Sequence, residues 1–317
     1  MRGIAGLINK YALPDIVKGS AATLALFMAY IMLMLAGPLF GIFSPFPVLF
    51  YTVKSGRGVG VASVVVVTFV LVAVSPAGAL FYFFQCGLFS LLLAGFLARG
   101  NGVARTIAST VAINLLVIMV FAASFGLWQG INPDSLVQKE IRDAVVQTEA
   151  YYLEHGIAAG DIESLKQGLK SAAELVGKTY PALFVVCLGA IAGLNLMLLK
   201  RFSHLLPQQL NFGEFSRFRN PEKLIWVMIV SGFALLIHED MVTRAALNIL
   251  VVTLSLYFVQ GLSIVGHFFT RFSLPRFVKL ILYVLLVVQP YLMIVVVLIG
   301  LFDLWCDFRA PKKQENL

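Results

Sequence analysis

Residues 133–178 read PDSLVQKEIRDAVVQTEAYYLEHGIAAGDIESLKQGLKSAAELVGK, and this stretch decides how the rest of the chain is read. It carries Asp134, Glu140, Asp143, Glu149, Glu154, Asp161, Glu163 and Glu174 against Lys139, Arg142, Lys166, Lys170 and Lys178. So many ionised side chains cannot lie in hydrocarbon. The flanking sequence is almost wholly apolar: no Lys, Arg, Asp or Glu falls in 19–53, 58–98 or 106–132. The composition agrees, at 60% hydrophobic and 13% charged, where soluble domains carry about 25% charged residues. The chain is an integral membrane protein in two apolar blocks parted by a polar hairpin.

Each uncharged run is then divided by its breakers. The run 19–53 would be about 50 Å long as one helix, against a hydrocarbon core of roughly 30 Å. It must turn, and Gly37-Pro38 and Ser44-Pro45-Phe46-Pro47 supply the turn. Spans are expected at 19–40, 44–54, 59–75, 78–98, 105–128, 181–199, 222–238, 245–267 and 279–303. The short piece 44–54 either crosses or is re-entrant, so the fold class is an all-α polytopic membrane protein with eight to nine transmembrane helices. Asn132-Pro133-Asp134 reads as a helix cap with proline at the first helical position. Within the hairpin, Gly156 ends one helix and Asp161 starts a second, whose inner face is Ile162, Leu165, Leu169, Ala172 and Val176. Gln289-Pro290 kinks the last helix. The expected organisation is a segment 1–18, a six-helix block 19–200 that includes the hairpin, a basic connection 201–223, C-terminal helices 224–303 and a tail 304–317.

Charge sets the orientation. The connections carry +2 at 1–18, +2 at 54–57, +2 at 99–105, +3 at 200–223 and +3 at 271–279, whereas the hairpin carries −3 and 239–244 carries −1. These alternate across nine spans, which puts the N-terminus and the basic connections in the cytoplasm and the hairpin outside a bacterial inner membrane. The first apolar run exceeds a signal-peptide core, so no cleavage is expected. A net charge of +8 confined to short loops does not point to nucleic acid. Cys86, Cys187 and Cys306 form neither a disulfide framework nor a zinc pattern.

Few residues offer chemistry. Gln85, Asn114, Asn195, Asn248 and Gln260 are polar at membrane depth, where interhelical hydrogen bonding is the ordinary role and ligand contact the alternative. No ionised residue lies at mid-span, which argues against a proton relay. His238-Glu239-Asp240 reads as a solvated loop, and no catalytic set, metal site or cofactor motif is present, so no enzymatic activity is expected. Ala21, Ala25 and Ala29 form a small-residue stripe, and Gly189 and Gly193 a G-x-x-x-G. Both suit close helix approach, first of all within the protein and otherwise to a partner. The stretch 212–222 carries Phe212, Phe215 and Phe218 every third residue, interleaved with Arg217 and Arg219. It reads as an interfacial helix with its rings at headgroup level, or as a docking segment for a cytoplasmic partner. Asp303 and Asp307 would repel at i, i+4 on a helix unless Arg309 or a partner offsets them.

These stretches, together with Tyr257-Phe-Val-Gln-Gly261 and Gly300 to Arg309, resemble the YybS-like family of predicted bacterial membrane proteins, domain of unknown function 2232. Such proteins look distantly similar to the S-components of energy-coupling-factor transporters. That resemblance implies an S-component-like six-helix core, with Gln85, Asn114 and Asn195 as candidate contacts for a small-molecule solute and the alanine stripe as a docking surface. The hairpin and the three C-terminal helices depart from that plan. Scaffolds of the MreD type share a related six-helix plan and bind proteins, which makes a membrane scaffold the alternative.

Overall fold

The computed structural model describes residues 12–33, 36–154, 159–207, 210, 212–272 and 274–309. Among them every regular element is a helix. These are α1 (Ala12–Met32), α2 (Gly37–Phe43), α3 (Phe46–Ser55), α4 (Arg57–Val74), α5 (Pro76–Tyr82), α6 (Phe89–Ala98), α7 (Val103–Gln129), α8 (Pro133–Glu154) and α9 (Ala159–Arg201), followed by α10 (Leu224–Ala234), α11 (Asp240–Arg271), α12 (Arg276–Val288) and α13 (Pro290–Cys306). A π-helical turn, Phe83–Leu88, joins α5 to α6.

Six of the described helical stretches are long and apolar enough to cross a membrane: Ala12–Met32, Arg57–Val74, Pro76–Ala98, Val103–Gln129, Glu163–Arg201 and Asp240–Arg271. A seventh is added if Arg276–Leu286 and Pro290–Cys306 count as one span bent by 99°. The differences from the expected spans fall at prolines and short runs. Gln289-Pro290 breaks the chain between α12 and α13 where a kink was expected. α3 has ten residues, about half the hydrocarbon thickness, with Val48, Leu49 and Thr52 buried. α10, with 11 residues, is also short of a full crossing. α1 starts at Ala12 and stops at Met32, whereas 19–40 was expected. Pro14 is tolerated in its first turn. Asp15, also in that turn, is buried against Lys54 Nζ (3.2 Å) and Ser55. Residues 1–11 and 310–317, and with them most of the expected N-terminal segment and tail, lie outside the described residues. So does Gly156.

Local chemistry explains the starts and stops. Asn132 Oδ1 accepts the Asp134 amide at 3.0 Å with Pro133 at the first helical position, as the cap reading required. Ser75 does the same at α5, accepting the Gly78 amide at 3.1 Å ahead of Pro76. α7 ends on Gly130 at φ 68, a left-handed position that glycine adopts without a Cβ penalty.

The chain packs as two units. The first is Met1–Ile131 with Cys187–Phe212, and the second is Asn132–Val186 with Gly213–Leu317. The hairpin thus belongs to the second unit, and α9 supplies residues to both.

In the first unit α1 packs on α2, α3 and α4, and α6 on α3 and α7. Phe27, Val64, Leu71, Tyr82 and Cys86 form its centre, with Phe27 edge-on to Tyr82 at 5.3 Å. The small-residue motifs do not serve this packing. Ala21 and Ala25 are exposed and Ala29 is half-buried, because the inner face of α1 runs through Gly19, Ser20, Thr23 and Phe27. A Cβ on Gly189 would meet nothing within 4 Å, and one on Gly193 only Ile107 at 4.0 Å. Internal packing, the first expectation for both motifs, is therefore replaced by open surface along the stripe and a loose neighbour at Gly193.

The close crossing lies in the second unit, where α11 packs on α10 and α13. A Cβ on Gly261 would collide with the Val296 carbonyl, and one on Gly300 with the Tyr257 carbonyl. The two backbones touch there, and only glycine fits. In α9 the inner hairpin face is Leu165, Leu169, Ala173, Gly177 and Tyr180. The expected Ala172 and Val176 are exposed instead, and the side chain of Ile162 lies outside the described residues. Gly300→Val should lower the thermal unfolding midpoint of the purified protein by the several degrees that overpacking of about 1–3 kcal/mol produces. Gly189→Val, in open space, should leave it nearly unchanged. Equal midpoints for the two variants would refute the crossing.

Candidate functional site

The segment between α9 and α10 is where the sequence expectation and the structure differ most. Phe212, Phe215 and Phe218 do not share a helical face, since the chain here is non-helical except for one 3-10 turn at Phe215–Arg217. Gly213 has φ 60, which departs from any helix start. Phe212 and Phe218 are half-buried, while Phe215 and Arg217 are exposed. Among the described residues Arg217 pairs with Glu214, at 2.8 Å and with both side chains in solvent, so that contact adds little stability.

Backbone that leaves a helix needs partners, and this strap draws them from α11 and from the end of α13. Arg309 donates to the carbonyls of Ser216 (3.0 Å) and Phe218 (2.9 Å). Ser263 donates to the Phe218 carbonyl at 3.0 Å. Gln260 accepts the Asn220 amide at 2.9 Å, and the Asn220 side chain donates to the Leu256 carbonyl at 2.9 Å. At the centre sits Asp303, fully buried. Its carboxylate accepts from Arg309 (2.7 Å), Gln260 (3.1 Å) and the Phe308 amide (3.2 Å). Arg219 donates to the Asp303 carbonyl oxygen at 2.8 Å and holds its Nε 3.9 Å from the carboxylate. A buried carboxylate needs this compensation, because an unpaired one would cost several kcal/mol. Asp303 and Asp307 do not oppose each other along one helix, and Arg309, one of the two expected means of offset, pairs with Asp303. The helix ends at Cys306, Asp307 turns out at φ 36, and Arg309 offsets Asp303. Three stretches distant in sequence, 215–220, 256–263 and 303–309, thus make one polar knot.

A second knot repairs α9. Pro181 lies inside that helix, so it has no amide to donate to the Gly177 carbonyl four residues back. Gln138 of α8 donates to that carbonyl at 2.8 Å. Asn248 of α11 enters the same break, accepting the Ala182 amide (2.8 Å) and donating to the Lys178 carbonyl (2.7 Å). Beside it Asp134 binds Arg244 and accepts from the Tyr180 hydroxyl at 2.9 Å. The Arg244 guanidinium, helped by Tyr180, holds the Asp134 carboxyl below the usual carboxylate range despite its partial burial.

In the first unit the candidate solute contacts are engaged in similar repairs. Asn114 is buried and donates to the Phe84 carbonyl (3.0 Å), which lies in the π-helical turn. The i→i+5 register of that turn disturbs the α-helical ladder and leaves carbonyls in need of side-chain partners. Asn195, also buried, donates to the carbonyls of Ile42 and Ile191, both at 2.8 Å. Gln85 is half-buried within the π turn. Asn114 and Asn195 are not brought to a shared ligand contact in the structure, and each spends its amide donor on backbone. No group of three or more His, Cys, Asp or Glu able to hold a metal is present among the described residues.

The profile of a family described as predicted membrane proteins, DUF2232, matches residues 21–304. The chain belongs to the DUF2232 family. The "Uncharacterized protein YybS" of Bacillus subtilis (strain 168) is 23% identical over 273 residues, which covers 85% of this chain and 88% of that protein. No solved structure matches the chain. The DUF2232 match takes in the strap, Gln260, Gly261, Gly300 and Asp303, while Arg309 lies beyond its last residue.

Sequence reasoning singled out Gln260, Asn248, Arg219, Asp303 and Arg309 but missed Asn220, Ser263 and the Asp134–Arg244 pair. Pro181 was the available signal for the second knot, since an in-helix proline requires side chains to repair its break. The Asp303 knot makes a testable statement. Asp303→Asn or Arg309→Met alone should each cost about 3–5 kcal/mol, because each strands a buried partner, and the double variant should cost less than the sum. Chemical denaturation of the four proteins in one detergent checks this, and additive losses would show that the pair is not coupled.

Proposed function

We propose that this membrane protein is a non-enzymatic partner module, a scaffold of the MreD-like kind, which docks another membrane protein along α1. The observation that carries this reading is the outward aspect of the alanine stripe. Ala21 and Ala25 are exposed, and small residues four apart let a second helix come close where lipid removes the usual hydrophobic incentive. The engaged donors of Asn114 and Asn195 support the same reading, since a core that uses its polar groups on its own backbone has fewer to offer a solute. The strap adds a second surface, in which Phe215, Arg217 and Arg219 are exposed on a segment pinned from beneath. The basic connections support a cytoplasmic N-terminus in a bacterial inner membrane, with the hairpin outside. In intact cells a single cysteine at Gln167 should then react with an impermeant maleimide, and protection of that site would reverse the orientation.

Solute capture by an S-component-like core is the second reading, and one feature favours it. The carbonyl oxygens of Asn114 and Asn195 are buried without a partner among the described residues, and each could accept a hydrogen bond from a bound molecule. Native mass spectrometry of protein purified gently from its own membrane separates the two readings. A stoichiometric protein partner lost on Ala25→Leu is the expected result. A water-soluble molecule lost on Asn114→Leu or Asn195→Leu, with no such partner, would overturn the scaffold in favour of the solute.

A further inference from the structure

A groove of about 490 Å³ runs between α10 and α11, lined among others by Trp226, Val230, Ser231, Ala234, Ala245 and Ala246. That volume is in the range of pockets that hold small organic molecules, about 300–1,000 Å³. Its room comes from small side chains: Ser231 and Ala246 are buried at its floor, and Ala234 and Ala245 flank them. The Ser231 hydroxyl donates to the Met228 carbonyl at 3.0 Å, and the rest of the lining is apolar. The outer wall is unpartnered hydrocarbon surface, with Trp226 66% and Val230 65% exposed.

Charge distinguishes the two ends of the groove. Lys223 precedes Trp226, Val227 and Val230 by three, four and seven residues, so it lies over the face of α10 that lines the groove. It is exposed and pairs with no carboxylate among the described residues. Glu222, its neighbour in sequence, is also exposed and lies with it in the turn before α10. At the opposite end, next to Val242, the chain carries Glu239 and Asp240. α10 is 11 residues long, about 16 Å against roughly 30 Å of hydrocarbon, too short to seat a full partner helix.

We propose that this groove is a binding site for one anionic glycerophospholipid, with an acyl chain between α10 and α11 and its phosphate at Lys223. The apolar lining takes the tail, the free cation takes the headgroup, and the acidic far end sets the direction.

The test uses the full chain in detergent, stripped of lipid and offered equimolar phosphatidylglycerol and phosphatidylethanolamine, with the bound species read by native mass spectrometry. One phosphatidylglycerol should be retained preferentially. Lys223→Gln should lower the phosphatidylglycerol-to-phosphatidylethanolamine ratio about fivefold, the effect of one basic residue near an anionic headgroup, and Lys223→Arg should preserve it. Ala245→Leu, which fills the groove, should reduce retention of both lipids. Thermal unfolding in lipid-free detergent reports whether each variant is folded. The proposal is overturned if the wild type shows no headgroup preference, if folded Lys223→Gln keeps the ratio, or if folded Ala245→Leu holds lipid as before. A polypeptide in place of lipid, displaced by Ala245→Leu, would likewise overturn it.

Discussion

Hydrocarbon offers no hydrogen bond, so any amide or carbonyl that leaves a helical ladder at membrane depth must find its partner within the protein. That requirement accounts for the principal side-chain amides packed against irregular backbone among the described residues. Asn114 serves a carbonyl in the π turn, Asn195 serves the Ile42 carbonyl, Gln138 and Asn248 repair the break at Pro181, and Arg309, Ser263 and Gln260 serve the strap. In each case the polar residue stands beside an irregularity in the backbone. The irregularity is what makes it necessary, and the hydrogen bond fixes the neighbouring element in register.

This also explains which parts of the fold were legible. Caps and breaks are local, so Asn132 before Pro133 and Ser75 before Pro76 could be read directly from residue types. The same holds for long apolar runs, whose length alone marks a crossing. Which face of a helix is buried is another matter in a membrane. Lipid is as apolar as a protein core, so the hydrophobic pattern of α1 does not say that Phe27 points inward and Ala25 outward. Small residues are ambiguous for that reason. The alanine stripe and Gly189-x-x-x-Gly193 were the better motifs by spacing, yet the touching backbones are at Gly261 and Gly300, one on each of two helices and therefore invisible to any search within a single segment.

The strap shows a further limit. Phenylalanines every third residue satisfy a helical template, but Gly213 and Asn220-Pro221 bracket the stretch and leave room for only one turn. The reading of Arg217 and Arg219 as headgroup or partner charges was local, and the contacts of Arg219 are not. Arg219 is committed to Asp303, more than eighty residues away, and Arg309 holds the strap carbonyls from the far end of the chain. Long-range pairing of this kind leaves no periodic trace. Only the oddity of a carboxylate at the end of an apolar helix marks it.

The two polar knots of the second unit are set apart by the geometry of α11. Arg244 and Gln260 differ by sixteen positions, about 24 Å of helix, slightly less than the roughly 30 Å hydrocarbon core. Two knots this far apart hold one long helix at two heights, and a low local dielectric strengthens each buried hydrogen bond in them. The backbone crossing at Gly261 and the open groove at Ala245 and Ala246 lie near opposite ends of this one helix. One side is closed by glycine and backbone. The other is left open by a partner helix too short to cover it.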